Sequence, residues 1–235
     1  MRVLLFSGGL DSYITAKLFN PDICLYIDIK SCYSSLEIAN LKRLDIPKQK
    51  VVIDNRLDLR SCELENSIVP LRNLFFVLMA FKYGNEIILS STRGDTTKDK
   101  DFKFKRLVNR MAKHLITEEK KEKTFSWIDK GLKPNFILPV RKFTKTQMVK
   151  MYLDKGFKKE ELWKTRSCYG TMKKECGNCK TCFRKAVAFI NNDIFNPELF
   201  EQKIDFRKFM QQTIDKKRKG EIKDTKEAMK RIGII

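Results

Sequence analysis

The chain has 235 residues, of which 42% are hydrophobic and 33% are charged. This length allows one domain with a sizeable core and a small appendage. No apolar run approaches the length of a membrane span, and the apolar start is too short for a secretory signal. Four of the seven cysteines fall between residues 168 and 182, which is typical of metal ligands in a reducing compartment. We therefore expect a cytoplasmic protein.

The net charge of +20 is concentrated in the middle of the chain. Residues 96–185 contain 26 basic and 10 acidic side chains. A basic surface of this kind suits a polyanion, so nucleic acid is a candidate partner. The alternative is a general lysine-rich composition, because most of these charges are lysines, which are solvated point charges.

Short apolar segments alternate with helical patterns in the first half of the chain. Strands are predicted at residues 3–6, 23–28, 50–53 and 86–90, and helices at 11–19, 35–44 and 71–83. This order predicts an α/β fold with a parallel sheet covered on both faces. Such sheets bind ligands at the carboxyl ends of their strands.

The second half of the chain is predicted to be mainly helical. Helices are expected at residues 102–118, 144–155 and 198–217. Residues 118–123 are expected to form a charged helix end or loop, and residues 216–230 a polar helix or tail.

The segment between the first strand and the first helix predicts an anion site. Two glycines let the backbone approach a ligand closely, and the following helix directs its free N–H groups at that ligand. Phosphate fits such a site best, although neither a Walker loop nor a dinucleotide fingerprint is present. Asp11 would hold Mg²⁺ or cap the helix, and the alternative is a plain turn capped by Asp11 and Ser12. The six residues are Ser7, Gly8, Gly9, Leu10, Asp11 and Ser12.

Four cysteines at C-x7-C-x2-C-x2-C spacing predict a metal site in the second half. They are Cys168, Cys176, Cys179 and Cys182. Four thiolates suit tetrahedral Zn²⁺, and a site closed by four protein ligands is structural. An iron–sulfur cluster is the alternative, because it also uses closely spaced cysteines. The only histidine, His114, falls in a predicted helix and is not expected to be a ligand.

The motif Ser-Gly-Gly-x-Asp-Ser after a first strand resembles the PP-loop of the N-type ATP pyrophosphatases. The resemblance implies a Rossmann-like parallel sheet that binds ATP and Mg²⁺. Members of that superfamily typically adenylate a substrate oxygen, and a nucleophile then displaces AMP. In this interpretation residues 1–140 form the PP-loop ATP-binding domain and residues 141–235 form a helical region with the zinc site.

Further motifs narrow the resemblance to the 7-cyano-7-deazaguanine synthase family. Pro70-Leu71-Arg72-Asn73 is similar to the family's Pro-Gly-Arg-Asn, and Thr144-Lys145 opens a helix as the family's Thr-Lys does. Ser167-Cys168-Tyr169 and the cysteine run are similar as well. The resemblance implies ATP-dependent conversion of 7-carboxy-7-deazaguanine and ammonia to the nitrile, and it suggests a homodimer.

The resemblance also assigns roles to individual residues. Arg72 and Lys145 would act with Asp11 in catalysis by compensating developing charge, and Asp28 would meet the adenosine. The alternatives without a catalytic or binding role are that Arg72 is an arginine at a helix start, that Lys145 is a surface lysine and that Asp28 caps a strand end. The residues expected to bind the deazaguanine are Arg72, Asn73, Asp95, Asp101 and Lys103, although Asp101 and Lys103 could instead belong to a solvated loop.

Several family features are missing from this sequence. The second strand is not followed by Tyr-Gly-Gln and His, and Ser90-Ser91 replaces a glycine. The loop from Asp95 to Lys103 lacks Gly-Tyr-Pro and its cysteine. The family has an arginine three residues after its last cysteine; here that position is Lys185, and Arg184 precedes it. These departures indicate a divergent member, and they leave open another acceptor (a nucleic acid, a protein or another base) or a non-catalytic nucleic-acid-binding module.

Overall fold

The computed structural model describes residues 1–65, 69–118, 127–128, 130–170, 172–215 and 219–235. Among these residues, no helix combines the length and the apolar character that crossing a membrane requires.

Five parallel strands form the central sheet, in the order β3-β2-β1-β4-β5. The first four match the predicted strands, and the fifth was not predicted. Because all neighbours are parallel, the loops after the strands lie along one edge of the sheet, where such folds bind ligands. The strands are β1 (Arg2–Leu5), β2 (Ile23–Ile27), β3 (Val51–Asp54), β4 (Glu86–Ile88) and β5 (Asn135–Ile137).

Helices cover the sheet and form most of the second half of the chain. The sequence predicted neither α6 nor α7. The helices are α1 (Leu10–Phe19), α2 (Ser34–Leu41), α3 (Arg72–Ala80), α4 (Phe102–Glu118), α5 (Lys145–Asp154), α6 (Lys159–Trp163), α7 (Lys180–Ile190), α8 (Phe206–Asp215) and α9 (Lys219–Arg231).

The helix predicted from residue 198 begins only at Phe206. Asn196 and Pro197 start a short 3-10 turn instead, and the backbone of Glu201 then bonds to that of Glu175. Asp205 accepts the Lys208 N–H at 2.9 Å, which is an N-terminal cap and explains the later start. Of the predicted charged run at 118–123, residues 119–123 lie outside the described residues, as do residues 216–218.

The hydrophobic core lies on both faces of the sheet. One face packs against α3 and α4 around Val77 and Val108. The other packs against α1, α5 and α7, so that Tyr13, Met148 and Phe189 share one buried cluster. This cluster contains residues from both sides of position 140, and the domain division at that position stays a prediction.

The residue before α3 has an unusual backbone conformation. Leu71 has φ 59° and ψ 7°, in the left-handed region, and its side chain is 63% exposed. A side chain in this region is strained, and glycine is the residue that adopts it freely. Leu71 occupies the position where the motif resemblance has glycine, and the turn it makes orients Arg72 at the first position of α3.

We expect Leu71→Gly to stabilise the fold by about 0.5 kcal/mol. Relief of the left-handed strain outweighs the greater freedom of glycine in the unfolded chain. The shift in the urea unfolding midpoint measures this change. Leu107→Gly is the control, because Leu107 is also exposed but lies within α4, where glycine costs about 1 kcal/mol. Two shifts of the same sign would contradict the prediction.

Candidate active site and metal centre

A cleft opens at the carboxyl edge of the sheet, between β1, β2 and β4 on one side and the second half of the chain on the other. It combines the phosphate-loop motif with cationic side chains from distant segments. The lining residues include Ser7, Gly9, Asp11, Ser12, Glu37, Arg72, Asn73, Asp95, Lys100, Lys145, Arg166 and Arg184.

The predicted anion loop has the geometry that close backbone approach requires. Gly8 has φ +70°, and a Cβ there would lie 2.9 Å from the Leu41 Cδ2 atom. Gly9 is the N-cap of α1, so the free N–H groups of that helix face the loop. Ser12 donates its hydroxyl hydrogen to the Gly9 carbonyl at 3.0 Å, and its Oγ lies 3.4 Å from that of Ser7.

Arg166 and Ser167, which precede Cys168, pack directly on this loop. The Arg166 N–H donates to the Gly8 carbonyl at 3.2 Å, and the Leu10 N–H donates to Ser167 Oγ at 3.2 Å. A Cβ on Gly9 would lie 3.2 Å from the Arg166 carbonyl oxygen. Both walls of the cleft therefore meet at the glycine pair.

Asp11 and Lys145 form an ion pair inside the cleft. Their side chains are only 18% and 10% exposed, so water screens the pair less than it would a surface pair. The pair joins the start of α1 to the start of α5, which a Thr144–Gln147 capping box fixes in place. Two of the predicted catalytic residues are thus brought together.

Arg72 lies on the other side of the cleft. Its guanidinium donates to the Tyr33 hydroxyl at 2.7 Å, and the Tyr33 ring packs 5.0 Å from that of Tyr169. The neighbouring Asn73 is buried and donates to Asp99 at 2.7 Å. Both predicted substrate-binding residues of this motif line the cleft.

Four of the predicted nucleotide- or base-binding residues lie outside the lining of the cleft: Gly8, which is part of the loop described above, and Asp28, Asp101 and Lys103. Asp28 accepts the backbone and side-chain N–H groups of Lys30 at 2.8 and 2.7 Å. Burial raises the pKa of Asp28, but the hydrogen bonds from Lys30 outweigh burial and the pKa is lowered. Asp101 accepts the Phe104 N–H at 2.8 Å, which is a helix cap, and Lys103 is exposed on α4. Their proposed ligand roles stay predictions.

Asp95, by contrast, reaches the cleft through a buried ionic network. Its carboxylate accepts the Thr92 N–H at 2.9 Å and pairs with Arg184 at 3.1 Å. Burial raises the pKa of Asp95, but the charges of Lys100 and Arg184 outweigh it, so the pKa is lowered and the carboxylate stays ionised. Lys185, which follows Arg184 in the chain, is fully buried and pairs with Glu175 at 3.0 Å. Of these two adjacent cations, Arg184 is therefore the one that faces the cleft.

The sequence did not identify Glu37 as a site residue. Glu37 accepts the Tyr26 hydroxyl hydrogen at 2.9 Å and lines the cleft. Burial raises its pKa to about 7, although Tyr26 and Arg72 act in the opposite direction. A carboxyl with a raised pKa in a cleft is a candidate functional group, but no local motif marks it in the sequence.

The four cysteines form one cluster, with all their Sγ atoms within 4.8 Å of one another. Three of the separations are 3.4, 3.9 and 3.9 Å. A tetrahedral Zn²⁺ with Zn–S bonds of about 2.3 Å separates its sulfurs by about 3.8 Å, so the cluster fits one zinc ion. An iron–sulfur cluster distributes its thiolates over different irons, which requires wider spacing.

The backbone around the cysteines is built for this cluster. The N–H groups of Gly170 and Cys176 donate to Cys168 Sγ at 3.2 and 3.4 Å, which favours a thiolate there. Gly177 has φ +74°, and a Cβ on it would lie 2.0 Å from the Gln202 carbonyl oxygen. Only glycine fits this turn between the second and third cysteines.

A Rossmann-like parallel sheet whose first strand leads into Ser-Gly-Gly-Leu-Asp-Ser, with a four-cysteine centre behind the cleft, defines the PP-loop class of nucleotide-binding proteins. Within that class, residues 1–193 match the family described as Queuosine biosynthesis protein QueC. The chain belongs to this family.

Curated relatives have low identity to this chain. The 7-cyano-7-deazaguanine synthase 2 of Sulfurisphaera tokodaii is 26% identical over 157 residues, which covers 64% of this chain and 31% of that protein. The 7-cyano-7-deazaguanine synthase of Sulfolobus acidocaldarius has the same identity and coverage. That of Campylobacter hominis is 28% identical over 226 residues, which covers 81% of this chain and 95% of that protein. The chain therefore spans about a third of the length of the archaeal relatives.

We expect purified protein to carry about one zinc per chain and Cys179→Ala to lose it. Because a structural metal contributes directly to folding, the variant should also lose on the order of 10 °C in Tm. Metal analysis and calorimetry measure both. Cys62→Ala is the control, because Cys62 is exposed and outside the cluster. Bound iron, or zinc retained by Cys179→Ala, would contradict the prediction.

Proposed function

We propose that this protein converts 7-carboxy-7-deazaguanine and ammonia to 7-cyano-7-deazaguanine at the expense of ATP. The observation that carries the proposal is the loop of residues 7–12, which opens on a cleft that also receives Arg72, Lys145 and Arg184. Membership of the QueC family and the names of the curated relatives support it.

The reaction removes two oxygen atoms from the substrate carbon, since a carboxylate and an ammonium ion lose the elements of two waters to become a nitrile. With ATP, each oxygen leaves bound to a phosphate, as part of AMP or of inorganic phosphate, rather than as free water. Each oxygen must be activated before it leaves, and ATP supplies that activation. In this proposal Ser7, Gly9 and Ser12 would bind phosphate oxygens, and Asp11 would hold Mg²⁺. The buried cations Lys145 and Arg184 would compensate negative charge as it develops, where a preorganised site is most effective.

The zinc centre has a structural role in this proposal. Its four ligands leave no open position for chemistry, and Cys168 directly follows the segment that contacts the phosphate loop. Zinc would therefore fix one wall of the cleft.

The proposed setting is the cytoplasm, and a homodimer is the proposed assembly.

A nucleic-acid acceptor is the second candidate. The exposed side chains of α4 include Lys103, Arg106 and Arg110, which follow one face of a helix and could contact phosphates. In this alternative the ATP chemistry is unchanged and a base within a nucleic acid replaces the free deazaguanine.

Incubation with ATP, ammonium and 7-carboxy-7-deazaguanine tests the proposal. We expect mass spectrometry to detect the nitrile, together with AMP or ADP whose formation depends on the added base. Gly9→Val should be inactive, because its side chain would crowd the Arg166 carbonyl. Nucleotide turnover only with RNA or DNA would support the second candidate, and no turnover with any acceptor would refute both.

Two substitutions at Asp101 separate base binding from helix capping. Asparagine caps a helix about as well as aspartate does, whereas alanine costs about 1 kcal/mol. If Asp101 reads the base, both Asp101→Asn and Asp101→Ala should raise the KM for the deazaguanine about ten- to a hundredfold, while the KM for ATP stays unchanged. If only Asp101→Ala lowers stability and neither changes that KM, the residue is a cap.

A further inference from the structure

The family match ends at residue 193, and the chain continues with a segment that packs back on the site. We call residues 194–235 the C-terminal segment. Phe206 and Phe209 of α8 pack on Phe183 of α7, with ring centroids 5.8 and 5.2 Å apart. Ala228 and Met229 of α9 join the same buried cluster as two of the metal cysteines. The C-terminal segment is therefore integrated with α7, the helix that carries Arg184.

One side chain of this segment reaches the cationic wall of the cleft. Glu221 of α9 forms an ion pair with the Arg184 Nε atom. The other two guanidinium nitrogens of Arg184 donate to Asp95 at 3.1 Å and to the Thr92 hydroxyl at 3.0 Å. Arg184, Asp95 and Glu221 are each less than 15% exposed. The guanidinium thus holds three elements together from one planar group.

The contact between Glu221 and Arg184 depends on the absence of a side chain at position 94, in the loop after β4. A Cβ on Gly94 would lie 1.7 Å from Glu221 Oε1. The same loop is held from the other side by Arg141, which donates to the carbonyls of Thr92 and Asp95. Glu221 and Arg141 therefore clamp residues 92–95 between them.

We propose that Glu221 is a positioning residue for the active site. It fixes the rotamer of Arg184, and Arg184 in turn fixes the carboxylate of Asp95 and the loop at residues 92–95. This loop leads to Lys100, which also lines the cleft. The inference rests on the proposed function for its substrate, because Asp95 is one of the residues expected to bind the deazaguanine.

Glu221→Gln tests this role, because it keeps the shape and the acceptor oxygen but removes the charge. Glu227→Gln is the matched control, since Glu227 lies on the same helix and pairs with Arg231, at the end of α9 farther from Arg184 in sequence. The readouts are hydrogen–deuterium exchange of the amides at 92–95 in the full chain, without ligand, and the KM values for the base and for ATP.

We expect Glu221→Gln to exchange the amides at 92–95 about tenfold faster and to raise the KM for the base about tenfold, as weakening of a charged hydrogen bond implies. Exchange elsewhere and the KM for ATP should stay unchanged. Glu221→Asp, which retains the charge, should recover part of both effects, and it replaces Glu221→Gln if that variant does not fold.

Unchanged exchange at 92–95 would overturn the inference, whatever the kinetics. So would faster exchange throughout the chain, which indicates general destabilisation, or faster local exchange with an unchanged KM for the base. If the wild-type protein does not turn over the deazaguanine at all, the proposed function fails. The exchange experiment then decides by itself whether Glu221 positions the loop.

Discussion

The contact between the segment at 165–168 and the glycine pair is the constraint on which the site depends. Within four residues this segment bonds to the loop of residues 7–12 through Arg166 and Ser167 and supplies Cys168, one of the four clustered cysteines. It is held from behind as well: the Thr165 carbonyl accepts the buried Lys185 ammonium at 2.6 Å, and the Ser167 N–H donates to Glu175 at 2.5 Å. One short piece of backbone therefore connects the loop of residues 7–12 to the cysteine cluster.

The charges of the cleft are arranged in internal pairs. Asp11 is paired with Lys145, and Arg184 lies between Asp95 and Glu221. Partners held within a folded framework keep these cations oriented before any ligand enters, which is the preorganisation that electrostatic catalysis requires. An anionic ligand that enters must compete with the resident carboxylates, so its binding free energy includes the cost of rearranging those pairs.

Local patterns in the sequence predicted much of the fold. Runs such as Val3–Phe6 are apolar and bounded by glycine or polar residues, so periodicity identified the first four strands and α4 with its bounds. The strand β5 was missed because Pro134 and Pro139 lie close on either side of it, in a half of the chain whose pattern is otherwise helical. Helix α7 was missed because it starts inside the cysteine cluster at Lys180. Helix α8 was predicted too early, because the cap at Asp205 and the turn at Pro197 are weak local signals.

The candidate site was likewise predicted where its residues are close together in the sequence, and missed where they come from distant segments. The loop of residues 7–12 and the four cysteines each lie within a short stretch, so residue type and spacing were sufficient to predict that the four cysteines come together. Glu37 and Glu221 have no such motif, because their importance comes from contacts with residues distant in the chain, at Tyr26 and Arg184. Asp101 was assigned to base binding from the resemblance, although it directly precedes the predicted helix at 102–118. In the fold its carboxylate accepts the Phe104 N–H at the start of that helix.

The absence of space at Gly94 has a consequence for how sequences of this family can vary. A side chain at position 94 and a carboxylate from α9 cannot occupy the same volume. Without α9 the Glu221 carboxylate would be gone, but a Cβ at position 94 would still lie 2.5 Å from the Arg184 Nη2 atom of α7. Position 94 is therefore restricted from two sides, by the guanidinium of α7 and by the carboxylate of α9, and any side chain there would have to displace both partners of this ion pair.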